Sequence, residues 1–164
     1  MSTEHCKNVI IGSGEGGKYL AWHLAQSGEQ TMVIERRWIG GSCPNVNCLP
    51  AKNEIWSAKV ADLARHARNY GTVTGPVSVD MEGVRSRKRE MVEALVAIHV
   101  SKYKSTGAEL VMGQASFTGP KTLAVQLNDG ERGRLAPSAF FSISAHTRQF
   151  LRVGTARVRT HDPY

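Results

Sequence analysis

Three glycines near the N-terminus constrain the fold of this chain more than any other feature. Gly12, Gly14 and Gly17 form a G-x-G-x-x-G turn between a short apolar run at 9–11 and a helical stretch at 18–26. The first glycine permits a tight turn, the second lets the backbone approach a pyrophosphate, and the third lets helix and strand pack closely. A lone G-x-G-x-x-G is a weak signal, but a strand before it and a helix after it predict a dinucleotide-binding α/β unit.

A second strand and an acidic residue strengthen this interpretation. Residues 31–34 read Thr-Met-Val-Ile and lead into Glu35, which lies about twenty residues beyond the turn. A carboxylate there can accept hydrogen bonds from a ribose diol, and the helix N-terminus favours the phosphate anions. The alternative, a glycine-rich turn of an α/β domain without a ligand, leaves Glu35 unexplained.

Two cysteines carry the second strong signal. Cys43 and Cys48 lie five positions apart in residues 40–52, Gly-Gly-Ser-Cys-Pro-Asn-Val-Asn-Cys-Leu-Pro-Ala-Lys. Residues five apart in a regular helix differ in height by about 7.5 Å, whereas a disulfide needs Cα atoms within roughly 4.4–6.8 Å. A bridge would therefore require a distorted or widened first turn, with Pro44 suited to the first helical position. Such strain eases reduction, and a helix start lowers a thiol pKa, so we interpret the pair as a reactive bridge.

Two other interpretations of the cysteines are weaker. Half of a zinc site would also bring two cysteines together, but no second Cys/Cys or Cys/His pair follows at ligand spacing. From the cysteine pair alone, two unlinked buried thiols are as weak an interpretation as the zinc site. Cys6, near the start of the chain, is interpreted as incidental, and we expect no metal site.

With both motifs in view, the chain resembles the N-terminal part of the pyridine nucleotide–disulfide oxidoreductases, such as dihydrolipoamide dehydrogenase, glutathione reductase and mercuric-reductase-like proteins. That family joins an FAD-binding G-x-G-x-x-G turn to a G-G-[ST]-C-x-N-x-x-C-x-P-x-K segment. Residues 40–52 fill every fixed position of this segment. The resemblance implies an incomplete α/β, Rossmann-like FAD-binding domain, with a parallel sheet, crossover helices and a small β-meander.

The resemblance also implies roles for individual residues. Cys48 would be the thiol against the flavin, Cys43 the interchange thiol that meets substrate, and Lys52 would lie near flavin N5. Electrons would pass between NAD(P)H, FAD, the bridge and a small-molecule disulfide, a dithiol or a metal-ion substrate. The FAD site would comprise Gly12, Gly14, Gly17, Glu35, Gly41, Ser42, Lys52, Gly113 and Ala115, the last two in a G-x-A segment that meets the adenine.

Two positions depart from the family pattern. Asn47 stands where glycine is common, and asparagine tolerates a left-handed conformation at modest cost. Glu15 stands where proline or alanine is common. Its carboxylate would repel a pyrophosphate unless it points away or pairs with Lys18.

The middle of the chain predicts further elements of the same domain. Apolar residues recur at helical spacing in residues 54–69 and 82–105. We expect Trp56 in the core rather than facing the cofactor, and His99 in a structural role because no metal partner is spaced from it. Short strands are predicted at 109–112, 114–118 and 122–127.

Charge does not indicate a nucleic-acid partner. The formal net charge is +7, and residues 85–89 read Arg-Ser-Arg-Lys-Arg. A solvated helix start explains this run, and residues 131–164 alone hold six arginines against two acidic residues. A polar start, a redox dithiol and the lack of a leader or an apolar span predict a cytoplasmic protein without a membrane partner.

The length of 164 residues leaves room for one domain. The family's enzymes also have a nicotinamide-binding domain and a C-terminal homodimerisation domain with a His/Glu pair, and no later segment matches either. We therefore expect a truncated fragment with weak or absent FAD binding and no NAD(P)H turnover. The alternatives are a non-catalytic FAD-binding or dinucleotide-binding module and an inactive gene remnant.

The end of the chain departs from the family pattern. We therefore predict an FAD-binding domain at 1–130 and an aberrant, frameshifted or disordered tail at 131–164. Permissible codons for residues 135–150, read two bases on, can spell Glu-Arg-Val-Leu-Leu-Asn-Ile-Gly-Thr-His-Ala, close to the family's expected segment. We predict a frameshift between about Gly130 and Leu135. Sequencing the gene tests this, and an alternate frame that does not encode the string would contradict it.

Overall fold

The computed structural model describes residues 3–130 and 132–142. In this part of the chain the strands are β1 (Thr3–Ile11), β2 (Thr31–Glu35), β3 (Glu109–Gly119), β4 (Thr122–Leu127) and β5 (Arg132–Ser142). The helices are α1 (Glu15–Gln26), α2 (Ser42–Asn45), α3 (Cys48–Arg65) and α4 (Met81–Thr106), with a 3-10 turn at Ala67–Tyr70.

The sheet has the predicted parallel part and the predicted meander. The parallel strands follow the order β3-β2-β1-β5, with Ile11 opposite Ile34 and Glu35 opposite Met112. Outside this parallel part, β4 pairs antiparallel with both β3 and β5, so that the five strands form a closed barrel. The expected Rossmann-like α/β fold is therefore confirmed.

The third strand is longer than the sequence predicted. Residues 109–112 and 114–118 were expected as separate strands, yet β3 is continuous and changes partner at Gly113. A Cβ on Gly113 would lie 2.7 Å from the carbonyl oxygen of Gln126. The glycine thus permits close pairing with β4 rather than ending the strand.

The core lies on both faces of β1 and β2. Because side chains alternate along a strand, Val9 and Ile34 face the meander whereas Ile10 and Val33 face α1 and α4. All four side chains are almost completely buried. A central strand that is buried on both faces has a continuous apolar sequence. For this reason both strands could be predicted from the sequence.

The third helix departs from the expectation for its apolar side chains. Trp56, expected in the core, is 61% exposed, and Ile55, Val60 and Leu63 are also exposed. The helix buries Pro50 and Ala61 instead. The helical spacing of the apolar residues predicted the helix correctly. It did not predict which of these residues are buried against other elements.

The basic run on α4 contacts α3. Arg87 Nη2 donates to the Asn53 carbonyl at 2.6 Å, and Lys88 Nζ lies 2.5 Å from Glu54 Oε1. These two cations join the helices, so the run has a structural use. No helix within the described residues combines the length and apolarity needed to cross a bilayer.

Part of the predicted aberrant tail at 131–164 lies in the sheet. The backbone of residues 132–142 forms β5, parallel to β1, with Thr3 opposite Arg134 and Ile11 opposite Ser142. Residues 143–164 lie outside the described residues. The division after Gly130 therefore stays a prediction.

The close packing of α1 on β1 gives a stability prediction. A Cβ on Gly17 would overlap the carbonyl oxygen of Gly12. We expect Gly17→Ala to lower the free energy of unfolding by about 1–3 kcal/mol, because the helix must move away from the strand. Urea denaturation followed by circular dichroism measures this.

Gly75→Ala is the matched control, since no heavy atom lies within 4 Å of a Cβ at Gly75. Its free energy of unfolding should stay within about 0.5 kcal/mol of the original chain. Equal stability of Gly17→Ala and Gly75→Ala would contradict the packing argument.

Candidate redox and dinucleotide site

The glycine-rich loop ends β1 and leads directly into α1. Gly12 has a φ of 98°, and its N–H donates to the Ile34 carbonyl at 2.9 Å. Gly14 is the N-cap of α1, and among the described residues no side chain caps that helix N-terminus. A Cβ on Gly14 would have no heavy atom within 4 Å. The loop thus offers an uncapped helix N-terminus next to open space, where an anion is favoured.

Glu35 lies at the end of β2 and is tied to this loop. Its Oε2 accepts hydrogen bonds from the Ser13 N–H at 2.9 Å and the Ser13 hydroxyl at 2.8 Å. Its Oε1 accepts from the N–H groups of Arg37 and Trp38. The carboxylate is only 8% exposed. Burial alone raises the pKa of Glu35, but these hydrogen bonds outweigh it and hold the pKa below its ordinary value.

Ser13 is a site residue that sequence reasoning missed. Its side chain is completely buried, and its Oγ also accepts the Gly40 N–H at 2.9 Å. One serine therefore joins the loop, the end of β2 and the segment before the cysteines. A small polar residue between the first two glycines was the available signal.

Gly113 and Ala115 lie at the same edge of the sheet as Glu35. Met112 pairs with Glu35, so Gly113 is the next residue of β3 beyond that carboxylate. Ala115 follows two residues later and pairs with Val125. The fold thus brings the predicted G-x-A segment toward the predicted ribose-binding residue.

The segment before the cysteines crosses the glycine-rich loop in close contact. Gly41 has a φ of 80°, and a Cβ there would lie 2.6 Å from the Gly14 Cα. The Asn45 amide holds the segment by donating to the carbonyls of Ile39 at 3.0 Å and Gly41 at 2.7 Å. The two sequence motifs are therefore adjacent in space.

The turn between the cysteines is widened, as their spacing predicted. The Ser42 carbonyl accepts hydrogen bonds from Val46 N at 2.9 Å and from Asn47 N at 3.0 Å. The second bond spans five residues, as in a π-type turn, and α3 begins anew at Cys48. Two details differ: Pro44 is the third residue of α2, not the first, and Asn47 has a φ of −115° rather than a left-handed conformation.

The two cysteines are thiols in the structure and lie next to each other. Cys43 is partly exposed and Cys48 is exposed. The hydrogen-bonding effect of the neighbouring Cys48 side chain, followed by burial and the charge of Cys48, raises the pKa of Cys43. The expectation of a lowered pKa is wrong for Cys43, because α2 has only four residues and the second thiol dominates.

The remaining predicted residues fall on the same elements. Ser42 begins α2, and exposed Lys52 lies one turn after Cys48 on α3, where residues four apart share a face. Glu15 pairs with Lys18 at 2.6 Å, which is one of the two arrangements that avoid repelling a phosphate. No group of three or more potential metal-ligating His, Cys, Asp or Glu residues occurs in the described ranges.

Comparison with known proteins supports the same assignment. The family model of pyridine nucleotide-disulphide oxidoreductases matches residues 6–132. Dihydrolipoyl dehydrogenase of Bacillus subtilis is 36% identical over 138 residues, covering 80% of this chain and 29% of that protein. Dihydrolipoyl dehydrogenase of Mycoplasma pneumoniae is 35% identical over 118 residues, covering 71% of this chain and 26% of that protein.

A solved structure has the same fold. The Cu(II) complex of the HOCl-induced flavoprotein disulfide reductase RclA from Escherichia coli superposes with a TM-score of 0.71 at 24% identity. The superposition covers 88% of this chain and 29% of that one. The chain thus spans little more than a quarter of the length of the proteins it matches. Because the family model covers residues 6–132 of 164, the chain belongs to the pyridine nucleotide-disulphide oxidoreductases.

Proposed function

We propose that this chain is the FAD-binding part of a flavin disulfide oxidoreductase in which Cys43 and Cys48 alternate between dithiol and disulfide. The contact of Gly41 with Gly14 carries the proposal. Because these backbones touch, a pyrophosphate bound at the glycine-rich loop and the cysteine segment would share one end of the sheet.

The residues present fit FAD. The uncapped N-terminus of α1 and the open space at Gly14 suit a pyrophosphate, and the Glu15–Lys18 pair leaves no net charge from these two side chains. Glu35 would face the adenosine ribose, and the Gly113–Ala115 backbone would face the adenine. Gly41, Ser42 and Lys52 would border the flavin. Bound FAD would supply two-electron exchange between a nicotinamide and the cysteine pair.

The cysteines would store the electrons in a sulfur–sulfur bond. Reduction breaks the bond between Cys43 and Cys48 and takes up two electrons and, when both sulfurs become thiols, two protons. The widened turn supports this exchange, since Cys48 is then the neighbour that bears most on the Cys43 thiol. In our proposal Cys48 faces the flavin beside Lys52, and Cys43 exchanges with the substrate.

The substrate and setting follow from the relatives. Their name, dihydrolipoyl dehydrogenase, favours a small-molecule dithiol or disulfide over a metal ion. NAD(P)H exchange and homodimerisation would require the further length that those proteins have. We propose a cytoplasmic enzyme of which this chain alone is inactive. A non-catalytic FAD-binding module and an inactive remnant are the competing functions.

Flavin titration of the 164-residue chain separates these functions. We expect weak FAD binding, measured by quenching of flavin fluorescence, and no oxidation of NADH or NADPH. Gly14→Ala should weaken FAD binding at least about tenfold, or ~1.4 kcal/mol, because the new methyl group enters the space proposed for the pyrophosphate. A long-wavelength absorption band after partial reduction would distinguish a redox-coupled site from a plain FAD-binding module.

Gly75→Ala is again the control and should bind FAD as the original chain does. Gly14→Ala should keep its free energy of unfolding, since a Cβ there meets no atom within 4 Å. Equal FAD affinity of both variants would contradict the site, and a complete lack of binding by the original chain would favour the inactive remnant.

The cysteine pair can be tested without flavin. In glutathione redox buffers we expect Cys43 and Cys48 to form a reversible disulfide, whereas Cys6 resists alkylation because its side chain is only 3% exposed. Alkylation followed by peptide mass spectrometry measures both. Failure of the native chain to form the 43–48 bridge, or a preferred bridge to Cys6, would contradict the redox role.

A further inference from the structure

The Glu35 side chain already uses all of its acceptor positions within the protein. Its Oε2 accepts from the N–H and the hydroxyl of Ser13, and its Oε1 accepts from the N–H groups of Arg37 and Trp38. These bonds hold the pKa of Glu35 below its ordinary value, so at pH 7 the group is a carboxylate, which has about four acceptor positions. A ribose hydroxyl that donates to Glu35 must therefore displace one of these donors.

Among the donors to Glu35, the Ser13 hydroxyl is the one that can turn away. The other donors are N–H groups whose directions are fixed by the backbone, and a buried N–H that loses its acceptor is costly. A hydroxyl rotates to suit its partners. The Trp38 carbonyl lies 3.2 Å from Ser13 Oγ and offers a second acceptor. That carbonyl also accepts the Gly41 N–H at 2.8 Å, and its two lone pairs allow both bonds.

Turning the hydroxyl leaves the packing around Ser13 intact. Rotation about the Cβ–Oγ bond moves the proton but not the oxygen, so Oγ still accepts the Gly40 N–H at 2.9 Å. Gly40 is also held by the His99 ring, which a Cβ on Gly40 would overlap. Because Ser13 is completely buried, water does not compete for its proton. The hydroxyl therefore has two states, which differ in the oxygen that accepts its proton.

We propose that Ser13 is a specificity-determining residue of the dinucleotide site, whose hydroxyl turns from Glu35 to the Trp38 carbonyl when one ribose hydroxyl donates to Glu35. Glu35 then keeps its full set of hydrogen bonds, and Ser13 still donates one bond and accepts one. Because only one donor can turn, Glu35 accepts from one of the two ribose hydroxyls rather than from both. The inference rests on the proposed binding of FAD and adds to it a role for Ser13.

Ser13 should also moderate the preference of the site for ribose over deoxyribose. When a ligand lacks the hydroxyl that donates to Glu35, the Ser13 proton stays on Glu35 and no acceptor is left unpaired. Without Ser13, the same ligand leaves one acceptor position of a buried carboxylate unpaired, which is costly. Removal of the serine hydroxyl should therefore increase discrimination against the deoxy ligand. A loosened fold would instead weaken the binding of both ligands alike and leave the ratio of their affinities unchanged.

The test compares FAD with two FAD analogues, which lack the 2′- or the 3′-hydroxyl of the adenosine ribose, by fluorescence titration of the 164-residue chain. For the original chain we expect one analogue to bind about fivefold more weakly than FAD, and the other within about twofold, because one neutral hydrogen bond is exchanged. Ser13→Ala should raise the larger ratio to about fiftyfold, because the lost bond then leaves a charged acceptor unpaired. Ser86→Ala is the matched control: it removes an exposed serine–glutamate hydrogen bond on α4 and should keep the original ratios.

An equal or smaller ratio in Ser13→Ala than in the original chain would overturn the proposal. If Ser13→Ala does not fold by circular dichroism, the two analogues decide on the original chain: weaker binding of only one supports the proposal, and weaker binding of both or of neither overturns it. FAD binding without the expected ratios contradicts this inference alone. A chain that binds neither FAD nor its analogues contradicts both this inference and the proposed FAD site.

Discussion

Direct backbone contact at glycine positions is the constraint on which the rest of this structure depends. Gly17 lets α1 lie against the end of β1, and Gly41 lets the cysteine segment lie against Gly14. Either contact would be lost if a side chain separated the backbones. The contact at Gly17 places the N-terminus of α1 next to the end of β1. The contact at Gly41 places the cysteine segment at the same end of the sheet. Fold and candidate chemistry thus share a single requirement, the absence of Cβ atoms.

Hydrogen bonds then hold the loop that these contacts create. Glu35 is buried and accepts four bonds, two of them from Ser13, while Ser13 also receives the Gly40 N–H. A buried carboxylate costs free energy unless such donors surround it. The network therefore rigidifies the region between β1, β2 and the cysteine segment. The ring of the buried His99 on α4 lies against Gly40 of the same segment and contacts the buried Lys18 on α1.

Much of the fold was predictable because local patterns report it directly. Continuous apolar runs predicted β1 and β2, since both faces of these strands are buried, and helical spacing predicted α3 and α4. The adjacency of the glycine-rich loop and the cysteines followed only from a resemblance. The exposure of Trp56, the continuity of β3 through Gly113 and the part played by Ser13 were not predictable, because each depends on what another segment places beside it.

The sequence alone determined the glycine spacing, the cysteine spacing and the acid at the end of β2. The cysteine spacing also implied that a bridge between Cys43 and Cys48 would need a widened turn, because residues five apart in a regular helix are too far apart for a disulfide. The tertiary structure decided the electrostatics: it raised the pKa of Cys43 through its neighbour and buried Lys18 against His99, a residue eighty-one positions away. Charges act through space, and only the folded chain sets which of them are close.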